Sequence, residues 1–283
     1  MSLLNAFTVD VEDYYHVTAF ERHIDRRHWD RHDSRVFDNT LRILDLLDRH
    51  QTKATFFVLG WIGQRRPDLV REIHRRGHEI GAHSFWHRLI YEQSPDEFRR
   101  DLQMVRDVLQ DAIGAPVRAH RAPSFSITQQ SLWALQILAE EGFQIDSSVF
   151  PIRHDRYGIP NARSEMHQID TPAGSLWEFP MSVISCAWIN LPVGGGGYFR
   201  LYPIAWTLRL LARINRVHKR SFVFYVHPWE LDPDQPRLDA GSWLSRRRHY
   251  VNLASTARKL ETLLKTFRFG RLCDLLPVTH LSP

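Results

Sequence analysis

Cysteine is scarce: only Cys186 and Cys273 occur in 283 residues. They have no paired spacing, which excludes a zinc knuckle or a disulfide framework, and both read as buried structural thiols. A membrane-spanning run is also missing. The one long uncharged stretch, Phe179 to Phe199, is interrupted by Pro180, Asn190, Pro192 and the glycines at 194–197, so it is rejected as a spanning helix. Met1 to Phe7 has no basic region followed by a long apolar run, so no signal peptide is expected and the cytoplasm is the expected compartment. The four glycines are not followed by a Lys-Ser or Lys-Thr pair, which excludes a phosphate-binding loop. They could instead let backbone approach a substrate closely. Tandem repeats and low-complexity tracts are absent too.

What is present is a core-forming chain, 43% hydrophobic, with a formal net charge of +5. Arginine gathers in short clusters at 26–27, 75–76, 99–100 and 246–248. These read first as a solvated basic surface, and second as a preference for anionic polymers or membrane surfaces. No nucleic-acid-binding motif accompanies them, so no nucleic-acid partner is expected.

Short β-rich runs alternate with amphipathic helices over the first two-thirds. Strands are expected at Ala6–Asp10, Lys53–Leu59, His78–His83, Val117–His120, Phe143–Asp146, Trp177–Ser182 and Phe222–His227, with a last one near Arg271–Leu275. Helices are expected at Asn39–His50, Pro67–Arg76, Gln129–Glu141, Ile204–Val217 and Asn252–Phe267. The clearest helix is Ser94–Gly114. Ser94 can cap it, Pro95 suits its first turn and Glu97 completes a capping box. Residues 151–176 and 228–250 read as irregular rims. The alternation argues for parallel strands with helices outside. A closed or nearly closed barrel follows as the expected fold, with ligands at the carboxyl ends of the strands.

The polar motifs fall at those ends. His83-Ser84-Phe85-Trp86-His87 places two imidazoles four apart, able to face one way on a helical turn and to bind zinc. With 16 histidines in the chain, such a pair alone is weak. Asp10-Val11-Glu12-Asp13 crowds three carboxylates after an apolar run, which is costly unless cations or solvent compensate them. Together the two motifs suggest an open metal site with a neighbouring carboxylate as base. Arg121 ends a strand and could pair with that acidic cluster. Asp146, in Asp146-Ser147-Ser148, ends another. His227 closes the apolar strand Phe222–Val226 and is expensive to bury without a role.

In this order the motifs resemble the NodB-homology polysaccharide deacetylases, carbohydrate esterase family 4, over roughly residues 5–230. Thr8–Tyr15, Gly195–Arg200 and His227–Glu230 are closer still to deacetylases encoded with exosortase-linked exopolysaccharide clusters. The resemblance implies an α/β fold, a distorted (β/α) barrel over 1–230, with 231–283 as an extension packed on it. It implies Asp10 as catalytic base, His83 and His87 as metal ligands, Arg121 as the group orienting the base, Asp146 as the aspartate tuning the acid, and His227 as the acid. The family's base and third ligand are adjacent aspartates, whereas Val11 intervenes here. Asp13 is preferred as the carboxylate ligand because it is the shorter side chain. Glu12 is the rival, because strand alternation puts it on the side of Asp10.

The implied activity is removal of N-acetyl groups from a polysaccharide or oligosaccharide, with a divalent metal ion, zinc first. Peripheral association with a membrane polysaccharide-synthesis complex would accompany it. Trp86, Tyr198 and Trp229 stand beside motif residues and could stack on sugars, although core packing is the simpler reading of each. The competing readings are a metal amidase acting on a small cyclic imide or ureide, and a carbohydrate-binding protein without catalysis.

Overall fold

The computed structural model describes residues 3–186 and 189–277. The chain begins with β1 (Leu4–Val11), α1 (Val36–Arg49), β2 (Thr55–Val58), α2 (Gly60–Arg65), α3 (Pro67–Arg75) and β3 (Glu79–Ala82). There follow α4 (Pro95–Ile113), β4 (Ala119–His120), α5 (Trp133–Glu140), β5 (Ile145–Asp146), β6 (His167–Thr171) and β7 (Gly174–Glu178). The last part holds β8 (Val183–Cys186), β9 (Ile189–Pro192), α6 (Gly196–Leu201), α7 (Ile204–Arg216), β10 (Val223–Val226), α8 (Trp243–Tyr250), α9 (Leu253–Thr266) and β11 (Arg268–Gly270).

The main sheet runs β10-β1-β2-β3-β4-β5-β7-β6, with β11 also paired to β1. All pairings are parallel except the β6–β7 hairpin. The sheet curls with helices around it and stays open between β10 and β6, giving the expected distorted (β/α) barrel. Every residue of β1 from Asn5 onward is buried, as a central parallel strand covered on both faces requires. Its alternation splits the core in two. Phe7, Val9 and Val11 join the larger apolar cluster, with the helices. Ala6 joins the smaller cluster inside the curl, with Phe57, Ala119, Ile145, Val223 and Tyr225. Thr8 and Asp10 continue that inner face.

Helix α4 forms as expected. Ser94 Oγ accepts from the Glu97 amide at 3.3 Å, Glu97 Oε2 accepts from the Ser94 amide at 2.8 Å, and Gly114 closes the helix at φ 66°.

Several elements depart from the sequence-based expectations. Residues 151–176 contain β6 and the start of β7, and α8 lies within 228–250. The strand expected at Trp177–Ser182 lies at Gly174–Glu178, and the one near Arg271–Leu275 is Arg268–Gly270. Cys186 is exposed and Cys273 half-buried, so neither is a core thiol. The Phe179–Phe199 run holds β8, β9 and the start of α6, although residues 187 and 188 fall outside the described ones. The proposed extension 231–283 includes residues 278–283, which also fall outside them. No helix among the described residues is long and apolar enough to cross a membrane.

Candidate active site

Sheet register assembles the site. Val11, Val58, Ala82, His120, Asp146 and Glu178 form one row of Cα partners across β1, β2, β3, β4, β5 and β7. Glu12, His83, Arg121 and Ser147 each stand one residue beyond that row. Alternation turns them to the inner face, which Asp10 also occupies from one residue before it. Across β1, Val9 pairs with Val226, so His227 comes level with Asp10. The polar groups therefore converge at the carboxyl ends of five strands.

Glu12, His83 and His87 form the one cluster of three metal-ligating side chains found among the described residues, all buried. Glu12 Oε1 lies 2.8 Å from His83 Nε2 and 3.0 Å from His87 Nε2. His83 Nδ1 lies 2.7 Å from the Arg121 carbonyl oxygen, which can only accept. Nδ1 therefore carries the proton, and in a neutral imidazole the Nε2 lone pair faces a carboxylate oxygen. Either a proton or a metal cation must lie between these atoms, and the donor set is one that suits a divalent ion with an open coordination position. Burial alone would raise the Glu12 carboxyl, but the His87 and His83 imidazoles outweigh it and hold Glu12 well below the ordinary carboxylate range. The two histidines do not share a helical turn. They leave β3 through a loop in which Ser84 and His87 have φ values of 63° and 53°.

Beside this cluster, Asp10 is 2% exposed and Arg121 fully buried. Arg121 Nη1 donates to Asp10 Oδ1 at 2.7 Å and to Thr8 Oγ1 at 2.8 Å. Its Nε and Nη2 donate to the Ser147 carbonyl and hydroxyl. The guanidinium also lies 4.3 Å from the centre of the Phe57 ring. Gly81 makes room for that ring, since a Cβ there would lie 2.5 Å from it. The free oxygen, Asp10 Oδ2, is 3.9 Å from His227 Nε2. His227 Nδ1 donates to Glu230 Oε1 at 2.9 Å. Burial opposes the charged imidazole, but the Glu230 hydrogen bond and the charges of Glu12, Glu230 and Asp10 push His227 up to about 9. Arg121→Ala is expected to destabilise the fold by about 3–5 kcal/mol, because it strands the buried Asp10 charge. Arg121→Lys should recover only part of this, since it loses the forked donors. Denaturant unfolding measures both.

Residues 30–144 match the family model described as polysaccharide deacetylase. That match spans His83, His87 and Arg121. Residues 30–144 thus resemble the catalytic domain of polysaccharide deacetylases. Residues 147–277, including His227 and Glu230, match a domain of unknown function, DUF3473. A Bacillus cereus peptidoglycan-N-acetylglucosamine deacetylase is 34% identical over 107 residues, 38% of this chain and 38% of that protein. The chain therefore matches less than half the length of that curated relative. Among solved structures, a Mycobacterium smegmatis protein assigned as a polysaccharide deacetylase aligns with TM-score 0.62 and 21% identity, covering 94% of this chain and 85% of that one. Puue allantoinase aligns with TM-score 0.61 and 13% identity, covering 96% and 88%. Both structural likenesses concern the fold.

Two positions differ from what the family resemblance implies. Asp13, the preferred ligand, does not face the histidines. Its Oδ2 accepts from Ser34 Oγ at 2.7 Å and from the Arg35 and Val36 amides at 2.9 and 3.2 Å. It thus caps the start of α1 from a distance, using orphan amides of the first turn. Burial raises its carboxyl to about 6 against these hydrogen bonds. Glu12 takes the position facing the histidines, as the alternation argument allowed. Asp146 does not meet His227 either. It belongs to the outward-facing row, where its Oδ1 lies 2.7 Å from His120 Nδ1 and accepts from Ser148 Oγ at 2.7 Å. Burial works against its charge, but His120 holds Asp146 low, while burial and the Asp146 charge push neighbouring Glu178 well up.

Glu230 was missed as a partner of His227. The signal was its i+3 spacing across the turn Pro228–Leu231, which wraps the carboxylate back onto the imidazole. Thr8 and Ser147, the other ties on Arg121, were also missed. Trp229 is buried and stacks on His227 at 5.2 Å and His249 at 4.2 Å, so it supports the imidazole. Trp86 lines a separate groove with Arg26, Arg27 and Arg65, and Tyr198 is half-buried. The glycine run serves packing first. A Cβ on Gly195 would lie 2.0 Å from the Tyr225 carbonyl, and one on Gly196 would lie 2.3 Å from its hydroxyl. Only Gly197 of the run lines the cleft.

Proposed function

We propose that this protein is a metal-dependent hydrolase that removes N-acetyl groups from the sugars of a glycan, of exopolysaccharide type or its precursor. The observation that carries this reading is the convergence of Glu12, His83 and His87 with Asp10 and His227 on one face, within a chain whose central stretch matches the polysaccharide deacetylases. The exopolysaccharide class rests on the resemblance of Thr8–Tyr15, Gly195–Arg200 and His227–Glu230 alone.

Glu12, His83 and His87 would hold the ion. A divalent ion there, zinc in the first instance, would supply Lewis acidity that acidifies water and polarises the acetyl oxygen. The remaining work falls to this chain's own side chains. Arg121 occupies Asp10 Oδ1 and leaves Oδ2 free to take a proton from the attacking water. His227, protonated at neutral pH, offers its Nε2 proton to the departing sugar nitrogen, which would otherwise leave as a poor amide anion. The carbon–nitrogen bond breaks, water adds, and acetate and a free amine result. Glu230 accepts the Nδ1 proton and so aims Nε2 into the cleft.

Release of acetate from N-acetylated oligosaccharides tests the reading; no release from any of a set of defined glycans, with metal supplied, would remove it. The Glu230 contact adds a pH test. Glu230 favours the charged imidazole, so Glu230→Gln should lower the His227 pKa. The alkaline limb of kcat/KM should then move to lower pH by about 1–2 units, the value of a hydrogen bond to a charged group. An unmoved limb would show that Glu230 does not tune the acid.

A further inference from the structure

The cleft that opens beside His227 and Glu230 has a volume of about 330 Å³. Its far wall comes from a rim that the catalytic argument leaves unused. Tyr91, His154, Tyr157, Arg156 and Arg248 all line it. His154 stacks on Tyr157 at 3.9 Å and 15°, and Tyr157 stacks on Phe150 at 5.8 Å and 17°. The result is a flat aromatic step close to the reacting centre. Such a step suits the apolar face of a sugar ring.

Two guanidinium groups flank that step. Both Arg156 and Arg248 act electrostatically on His154, and Arg248 acts on Tyr157 as well. Both are exposed. Neither has an ion-pair or side-chain hydrogen-bond partner among the described residues. Their neighbours are engaged elsewhere: Arg246 pairs with Asp239, and Arg247 lies over the Trp243 ring. The carboxylates of the cleft are also occupied, since Asp155 lies 2.9 Å from His154 Nδ1 and Glu230 is bound to His227. Two free guanidinium groups on one wall of a cleft favour an oxyanion, which arginine binds through forked donors.

We propose that this wall is a subsite for an anionic group on the glycan, a carboxylate or a phosphate carried next to the N-acetylated sugar, read by Arg156 and Arg248. The proposal rests on the deacetylase reading and adds the charge class of the substrate.

The test compares three oligosaccharides of equal length: a neutral N-acetylated one, one with alternating uronic acid units, and one bearing a phosphate ester. Acetate release and calorimetric binding are measured for each on the wild type and on the Arg156→Gln, Arg248→Gln double variant. One anionic substrate should exceed the neutral one in kcat/KM by about ten-fold or more, the value of one or two hydrogen bonds to a charged group. That advantage should reside in KM, shrink with added salt, and collapse in the double variant. The arm that responds identifies carboxylate or phosphate. Equal kcat/KM for all three glycans, or equal losses on all three in the double variant, would overturn the subsite. If no glycan releases acetate, the deacetylase reading fails separately. The calorimetry still decides the subsite, because anion-selective binding that the double variant loses supports it and unselective binding overturns it.

Discussion

Glu12→Gln should lower acetate release by about 10³-fold and empty the protein of its divalent ion. Among the described residues only one carboxylate lies against the His83 and His87 imidazoles, and an amide oxygen is a far weaker ligand for a dication. The loss corresponds to about 4 kcal/mol of transition-state stabilisation, within the several that a Lewis-acidic ion supplies. Asp13→Asn is the informative contrast. It removes the anion that accepts from Ser34 and the first amides of α1, so it should cost about 1–3 kcal/mol of stability while the ion stays. Metal analysis of the two purified variants decides the matter. An ion retained by Glu12→Gln and lost by Asp13→Asn would reverse the ligand assignment.

The second large effect belongs to the acid. His227→Ala should reduce turnover on N-acetylated sugars by about 10²–10⁴-fold, the usual worth of a placed general acid. Its metal content should not change, because His227 is not among the three clustered ligands. The loss should shrink strongly on an aryl acetate ester, whose phenolate leaves without a proton. A proportional loss on both substrates would assign His227 to binding rather than to proton transfer. The raised pKa of about 9 fixes the direction of the pH response. The acid is charged at neutral pH, and activity should decline as pH rises through that value.

Much of this was legible because local rules suffice for some elements. The capping box at Ser94 and Glu97 and the apolar run of β1 each carry their structure within a few residues. The acidic stretch, the histidine pair, Arg121 and His227 were legible as chemistry for a related reason: polar groups ending apolar strands are costly unless used. What failed depended on register. Asp146 looks equivalent to Arg121 as a polar residue ending a strand. Yet Arg121 stands one residue past the row that contains Asp146, and the pleat sends the two to opposite faces. Nothing local distinguishes them. Asp13 and Glu12 differ likewise, and the amides that claim Asp13 come from residues 35 and 36, more than twenty positions away. The hairpin of β6 and β7 was hidden by polar, partly exposed strands. Helix α8, Trp-Leu-Ser-Arg-Arg-Arg-His-Tyr, has no apolar stripe to betray it.

The central claim is that one ion among Glu12, His83 and His87 serves amide hydrolysis with Asp10 and His227. The most direct measurement is acetate release from a defined N-acetylated oligosaccharide by protein stripped with chelator, then titrated with zinc. The account predicts that release vanishes on stripping and returns in full at one equivalent of ion per chain. Undiminished release by the metal-free protein would contradict it.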